Sequence, residues 1–497
     1  MKQAIPKAGP EETELKLALP GADPATLLAR LKRVPVLARR KSTTLHLHNI
    51  YFDTPELVLR QQRIALRLRR VGDEAKPQWL QTLKTAGRAD SALSQRGEWE
   101  TPVPDAHLSL KALRKTPWTD MDGDGTIFRA LSPVFETNFE RTVWLVRRRD
   151  ASVVEVALDI GQVRAGERTA PLCELELELK AGSAQTLFEV AQQIATSMAL
   201  LPSAISKAER GYALAQNTLA TARRAAPPAL PSKLSVAATA QRVLCEMFSQ
   251  FTSNLNTLLI SDDPEVVHQA RVGWRRFKSA RRLFAPALVR EATPDWQALH
   301  ALLSCLGKLR DLDVAMNETL PPLADVYIAA DPRRAEIWQQ MMLGLAQAVH
   351  LQRKAVRYAL QDPDVGACLL ATTQWLDDLT ASGAGAESRA DASLQRWTQQ
   401  RVLRLHEQVK LARNNAGTPE QLHRVRILAK RMRYNLESLE DLLPRKRSQR
   451  WRAQAIQLQS KLGDSRDALQ AITLLVELGT DRALTEFLRG HALGQKA

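Results

Sequence analysis

Two short stretches far apart in the chain share one pattern: Glu12-Thr13-Glu14-Leu15-Lys16, and Glu174-Leu175-Glu176-Leu177-Glu178-Leu179-Lys180. Side chains alternate across a strand, so Glu12, Glu14 and Lys16 share one face, as do Glu174, Glu176, Glu178 and Lys180. Leu175, Leu177 and Leu179 cover the opposite face and must pack against something apolar. Basic strands lie between: Arg67-Leu68-Arg69, and Gln81-Thr82-Leu83-Lys84. Arg grips phosphate oxygens as a fork and Lys offers a compact charge, while carboxylates suit hard ions such as Mg²⁺ or Mn²⁺. A sheet that sorts acids and bases in this way is arranged for a polyanion accompanied by divalent metal.

Other faces extend the set. Arg96, Glu98 and Glu100 share one, Arg141 and Arg147 another, and Glu155, Ala157 and Asp159 a third. Such a carboxylate cluster is too costly to bury ionised without metal or cations. No Ser-His-Asp or Cys-His nucleophile is evident from spacing, so the attacking group would be water. His46-x-His48 shares a strand face but shows no third ligand, and reads as a structural pair. Asp120-x-Asp122-x-Asp124-Gly125 opens like a calcium loop, yet position twelve is Leu131 where a bidentate Glu is required. It reads as an acidic surface turn. Trp79 and Trp99 fit either stacking on a base or packing in a shell.

These residues need a scaffold, and the alternation supplies one. Strands are predicted at Glu12–Leu19, Thr44–Phe52, Ile64–Val71, Gln78–Thr85, Arg96–Val103, Phe135–Arg148, Ser152–Val163 and Cys173–Lys180. Helices are predicted near Pro24–Arg33, Pro55–Gln62 and Ala184–Met198. About eight strands, each with a charged and an apolar face, imply a closed or nearly closed antiparallel barrel with its polar face inward and helices outside. The Pro/Ala run Ala225–Pro231 reads as a linker. Beyond about residue 235 the grammar is helical, with apolar residues three and four apart.

The helical half repeats itself. His268, Arg271, Arg275 and Lys278 form a basic stripe with Arg282, and His423, Arg426, Lys430 and Arg433 repeat its first four steps. Leu306-Gly307-Lys308-Leu309-Arg310-Asp311 is answered by Leu462-Gly463-Asp464-Ser465-Arg466-Asp467, at nearly the same distance from each His. This implies a duplicated all-α bundle with internal pseudo-two-fold symmetry. Arg310–Asp311 and Arg466–Asp467 fit either the ordering of neighbouring cations or simple helix salt bridges. Ala381–Asp391 reads as a loop. The whole is a multi-domain α+β chain, with domains at 5–215 and 235–485 and a linker at 216–234.

Composition narrows the partners. A formal charge of +16 on 497 residues favours an anionic ligand without choosing among nucleic acid, acidic membrane and polyphosphate. The four cysteines have no CxxC and no ligand spacing, and read as buried free thiols in a reducing cytosol. Residues 1–10 lack a signal-peptide core, and no stretch is apolar enough to span a bilayer. A cytoplasmic protein with no membrane and no specific nucleic-acid partner is expected.

Glu12-x-Glu14-x-Lys16, Tyr51-Phe52-Asp53-Thr54-Pro55, Leu66-Arg67-Leu68-Arg69, Gln81-Thr82-Leu83-Lys84, Glu155-x-x-x-Asp159, Glu174-Leu175-Glu176-Leu177 and Ser206–Tyr212 together resemble the CYTH domain. That superfamily is also known as the triphosphate tunnel metalloenzymes. The duplicated half resembles the CHAD domain, and the pairing is similar to bacterial CYTH–CHAD inorganic triphosphatases. The resemblance implies an eight-stranded tunnel holding tripolyphosphate, with Mg²⁺ or Mn²⁺ as cofactor. It places Lys16, Arg67, Arg69, Lys84, Arg141 and Lys207 on phosphate. It places Glu12, Glu14, Asp159, Glu174 and Glu176 on metal with Glu98 or Glu100, and Glu12, Glu14 and Lys84 at the chemistry. Arg63 stands where the family often has a small residue, a departure expected to affect only the turn. The CHAD resemblance implies that both stripes line a channel for inorganic polyphosphate. Nucleoside or thiamine triphosphatase, adenylate cyclase and a non-catalytic polyphosphate receptor are the alternatives.

Overall fold

The computed structural model describes residues 11–72, 77–85, 87, 91–231, 234–288, 293–383, 393–461 and 464–494. The chain divides into two compact units. One comprises Met1–Thr221, Leu259–Ser261 and Gln361–Gln374; the other Ala222–Leu258, Asp262–Leu360 and Trp375–Ala497.

In the first unit the alternating segments become β1 Glu11–Ala18, β2 Ser42–Asp53, β3 Ala65–Val71, β4 Gln78–Lys84, β5 Leu93–Val103, β6 Ser132–Arg147, β7 Val153–Ala165 and β8 Arg168–Ala181. They pair antiparallel in the order β5-β4-β3-β2-β6-β7-β8-β1, and β1 then pairs with β5 to close an eight-stranded barrel. Closure leaves no long edge unpaired. A two-residue strand, Leu201–Pro202, adds to β1. The helices used below are α1 Pro24–Leu31, α2 Val58–Gln61, α3 Ala184–Ala195 and α4 Lys207–Ala215.

Alternation decides which way each side chain faces. Leu15 and Leu17 stand opposite Leu177 and Leu175 and point outward. There they join Leu27 and Leu31 of α1, and Leu187, Phe188 and Ile194 of α3, in one buried cluster. On the far wall Leu66 and Leu83 pack with Leu59 and Trp118, and Trp99 lies against them. Trp99 therefore belongs to the shell. Trp79, five residues before Lys84 on β4, has the same outward parity. The charged positions of β1, β3, β4 and β5 turn inward, while on β2 and β6 the inward Leu47, Phe135 and Phe139 form an apolar cluster with Tyr212 and Leu214 of α4.

Two expected details differ. Pro55–Gln62 shrinks to the single turn α2, because Leu57 takes a left-handed conformation (φ 57°). The buried Asp53 carboxylate accepts from the N–H groups of Thr54, Leu59 and Arg60 at 2.7, 2.9 and 3.0 Å, using donors that would otherwise start a longer helix. Asp122, predicted on the surface, is buried and accepts from Ile127 N and Phe128 N, both at 2.9 Å. His48 pairs with Glu136 at 3.0 Å.

The second unit is helical: α5 Val236–Leu258, α6 Pro264–Phe284, α7 Leu299–Val314, α8 Pro332–Ala359, α9 Ser393–Asn414, α10 Pro419–Ser438, α11 Arg445–Lys461, α12 Asp464–Glu477 and α13 Arg482–Gly494. α6 and α10, which carry the two stripes, pack together; Asn435 donates to Ser279 Oγ at 3.1 Å, and Ser279 donates to the Arg431 carbonyl at 3.4 Å. A further helix, Pro363–Gly383, which belongs to the first unit up to Gln374, occupies the start of the expected loop at Ala381–Asp391, whose remainder lies outside the described residues. Leu462 and Gly463 also lie outside them, as do two residues of the expected linker, 232 and 233. Cys368 is buried, whereas Cys173, Cys245 and Cys305 are half-buried. No helix among the described residues is long and apolar enough to cross a membrane.

Candidate active site

The barrel encloses a cavity of about 510 Å³ lined by Glu12, Glu14, Lys16, Arg67, Arg69, Lys84, Arg96, Glu98, Glu100, Arg141, Glu176 and Lys207, among others. Each predicted tunnel residue on β1, β3, β4 and β5 faces it because inward positions alternate. Arg147 shares parity with Arg141 but lies exposed near the end of β6, away from the cavity.

The acids do not form one nest. Asp159, Glu174 and Glu176 come together, with an oxygen from each within 4.8 Å of the others. Register explains this: Glu174 of β8 faces Asp159 of β7, and Glu176 is two residues on, with the same parity. Lys207 Nζ contacts all three, at 2.7 Å to Asp159 Oδ2 and 2.9 Å to Glu176 Oε1, with Glu174 bonded as well. Arg141 grips Asp159 through two bonds of 2.8 and 2.6 Å and also reaches Glu176. An all-oxygen trio of this kind fits a hard divalent ion.

Glu12, Glu14 and Glu98 make a second group, interleaved with cations. Lys84 Nζ lies 2.8 Å from Glu12 Oε2 and 2.9 Å from Glu98 Oε2. Glu14 bonds to Lys16 and Arg96, and Arg96 Nε lies 3.4 Å from Glu12. Glu100 stands apart, accepting from Thr82 at 3.1 Å with Arg69 3.7 Å away. Five of the seven predicted metal ligands, Glu12, Glu14, Glu98, Glu100 and Glu176, line the cavity, whereas Asp159 and Glu174 are buried beside Glu176 and are not part of its lining.

Charge balance sets the protonation states. Burial alone would raise Glu98, but Lys84 and Arg67 outweigh it and hold the carboxyl near about 2. Burial likewise opposes ionisation of Glu14 and Glu176, and neighbouring cations overcome it in both. Glu174 differs, because burial prevails over Lys207 and its pKa rises. Burial, helped by Arg67 and Arg141, pulls Arg69 down to about 10. That wall holds more positive charge than its carboxylates neutralise.

Several lining groups were not assigned roles from sequence. Arg96 shares parity with Glu98, and its register partner is Glu12, a pairing that appears only once the barrel closes. Tyr51 accepts from Arg67 Nη1 at 3.4 Å. Burial would raise the Tyr51 phenol, but Arg67 lowers it. Arg63, expected to affect only a turn, has φ 58° and also lines the cavity. Asp53 links the walls, since Tyr212 of α4 donates to it at 2.7 Å.

In the helical unit, Arg275 and Lys278 are exposed on α6, while His268 and Arg271 are half-buried. On α10, His423 is exposed and Arg426, Lys430 and Arg433 are half-buried. Burial lowers the pKa of Lys278, reinforced by Arg282, Arg275 and Arg271. Burial and Arg310 lower His268. Arg310 itself bonds Glu318 at 2.8 Å, a salt bridge within its own segment. A Cβ at Gly307 would sit 2.9 Å from Arg271 Nη1, so the glycine of the repeated motif makes room for a stripe guanidinium.

Family models match both units: residues 10–212 match the CYTH domain and residues 242–476 the CHAD domain. The chain carries a CYTH domain and a CHAD domain. A Haemophilus influenzae protein named inorganic triphosphatase is 33% identical over 213 residues, which are 42% of this chain and 57% of that protein. The chain thus spans little more than half the length of that relative. Among solved structures, the Ricinus communis CHAD domain aligns at 25% identity and a TM-score of 0.47, over 55% of this chain and 91% of that one. A Hippeastrum protein described as having dominant triphosphatase activity aligns at 19% identity and 0.31, over 41% of this chain and 95% of that one.

Proposed function

We propose that the CYTH domain hydrolyses inorganic triphosphate to pyrophosphate and phosphate in a metal-dependent reaction, and that the CHAD domain binds polyphosphate. The observation that carries this reading is the closed lumen in which Arg67, Arg69, Lys84, Arg141 and Lys207 converge beside buried carboxylates. The relative named inorganic triphosphatase supports the choice of substrate. Arg67 and Arg69 bind and orient the phosphates, and the excess positive charge around Arg69 is relieved when they enter. Asp159, Glu174 and Glu176 would hold Mg²⁺ or Mn²⁺, with Glu12 and Glu14 as candidates for a second ion. Bound metal neutralises phosphate charge and makes water a better nucleophile. Lys84, which bridges Glu12 and Glu98, would orient the attacking water or stabilise the leaving oxygen. A cytoplasmic setting suits the free thiols.

The test is phosphate release from tripolyphosphate, ATP, thiamine triphosphate and long-chain polyphosphate, with Mg²⁺, with Mn²⁺ and after chelation. Tripolyphosphate should be preferred, and chelation should abolish turnover. Equal rates on all four substrates would remove the proposed specificity, and full activity after chelation would remove the metal.

A further inference from the structure

Lys207 does something a simple phosphate ligand need not do: its ammonium sits among the three carboxylates best placed for metal. It bonds Asp159 Oδ2, Glu174 Oε1 and Glu176 Oε1. The other oxygens of these groups already face cations. Asp159 Oδ1 and Glu176 Oε2 are taken by Arg141, and Glu174 Oε2 faces Arg210 at 3.8 Å. The three oxygens that Lys207 holds converge on one point, with Asp159 Oδ2 shared with Arg141 at 2.6 Å, and a divalent ion drawing on the trio needs that point. Mg²⁺ requires oxygens at about 2.0–2.1 Å around itself, so ammonium and ion cannot share that position.

One of the two resident cations must therefore move, and the geometry says which. Arg141 is pinned mid-strand, fork to fork with Asp159, its direct register partner on β7. Lys207 is the first residue of α4, and its charge rides on a flexible four-carbon stem that also lines the cavity. We infer that Lys207 is a built-in counter-ion that keeps the carboxylate trio together without metal and is displaced into the lumen when metal binds. This rests on the metal-dependent triphosphate reading above and adds an order to it: metal releases the ammonium, which then becomes available to phosphate. The charge of Lys207 is thus used twice, at two positions.

Mn²⁺ titration of the metal-stripped full-length protein by calorimetry tests this against Lys207→Met, which keeps the stem and removes the charge. With its competitor gone, the variant should bind Mn²⁺ at least about tenfold more tightly, a modest demand for a charge in contact with all three ligands. Equal or weaker binding by the variant overturns the inference while leaving metal dependence standing. No Mn²⁺ binding by either protein overturns both readings. Should Lys207→Met fail to fold without metal, wild-type protein still decides. Reductive methylation read by mass spectrometry should label Lys207 several-fold faster with Mg²⁺ than without, and unchanged or slower labelling overturns the inference.

Discussion

At the scale of single residues, the lumen is a set of paired charges, and each pair yields a different expectation. Glu14 is buried and bonded to Lys16 and Arg96. Glu14→Gln keeps a hydrogen-bond acceptor but removes a charge from both neighbours. Turnover should fall by about a hundredfold or more, and the metal-free melting temperature should also drop, because two buried cations lose their counter-charge. Near-normal turnover would exclude Glu14 from the chemistry. Glu98 carries a pH signature. Its folded pKa of about 2 lies below the ordinary 4.5, so its contribution is fully present above pH 4.5 and is lost as pH falls toward 2. Glu98→Gln should flatten acid unfolding in that window, and an unchanged acid-melting curve would contradict the pairing. Residue types and parity already pointed to both glutamates. Their partners could not be read the same way: parity assigns a face, whereas Glu12 opposite Arg96 depends on the register of barrel closure.

At the scale of elements, alternation was legible because the two faces of each strand meet different surroundings, as on β1, whose Leu15 and Leu17 pack under helices while Glu14 and Lys16 face the cavity, and a one-residue slip would exchange them. Strand ends were less so. β8 begins at Arg168, well before the acidic run that starts at Glu174, because its hairpin with β7 continues to a tight turn where Gly166 adopts φ +58°. α2 shrank because the Asp53 carboxylate captured nearby amides, a contact made by folding rather than by periodicity. The same carboxylate receives Tyr212 and so ties α4, with Lys207 at its start, to the β2 wall. Gly211 permits that docking, since an added Cβ would lie 2.0 Å from the Phe135 ring. Gly211→Ala should cost roughly 1–3 kcal/mol by overpacking and should shift Lys207 relative to the trio. The check is a denaturant melt beside Mn²⁺ titration. A stable variant with unaltered metal affinity would mean that α4 docking does not position the lysine.

At the scale of the whole molecule, the basic residues fall in two separate settings. Inside the barrel, cations are paired with buried carboxylates, as Lys207 is with Asp159, Glu174 and Glu176. In the helical unit, the stripes on α6 and α10 gather further positive charge, with Arg433 lying 3.7 Å from Glu437. Packing of α6 on α10 through Ser279, Arg431 and Asn435 brings the duplicated helices side by side, which the repeat implied but could not orient. Stripes on adjoining helices suit a linear polyanion better than a compact one. The intact protein should therefore bind long polyphosphate with affinity that falls steeply with salt, because binding a linear polyanion releases counterions. Reversing Arg271 and Arg426 together to Glu should weaken binding by more than tenfold, whereas reversing the exposed pair Arg445 and Lys446 should change it by only about twofold. Competition by duplex DNA of equal charge separates shape from charge alone. Equal affinity for DNA and polyphosphate, together with equal effects of the two reversals, would reduce the stripes to solvated helix faces. A specific response to Arg271 and Arg426 would instead explain why α7 carries Gly307 at the point where the Arg271 guanidinium comes within 2.9 Å of an added Cβ.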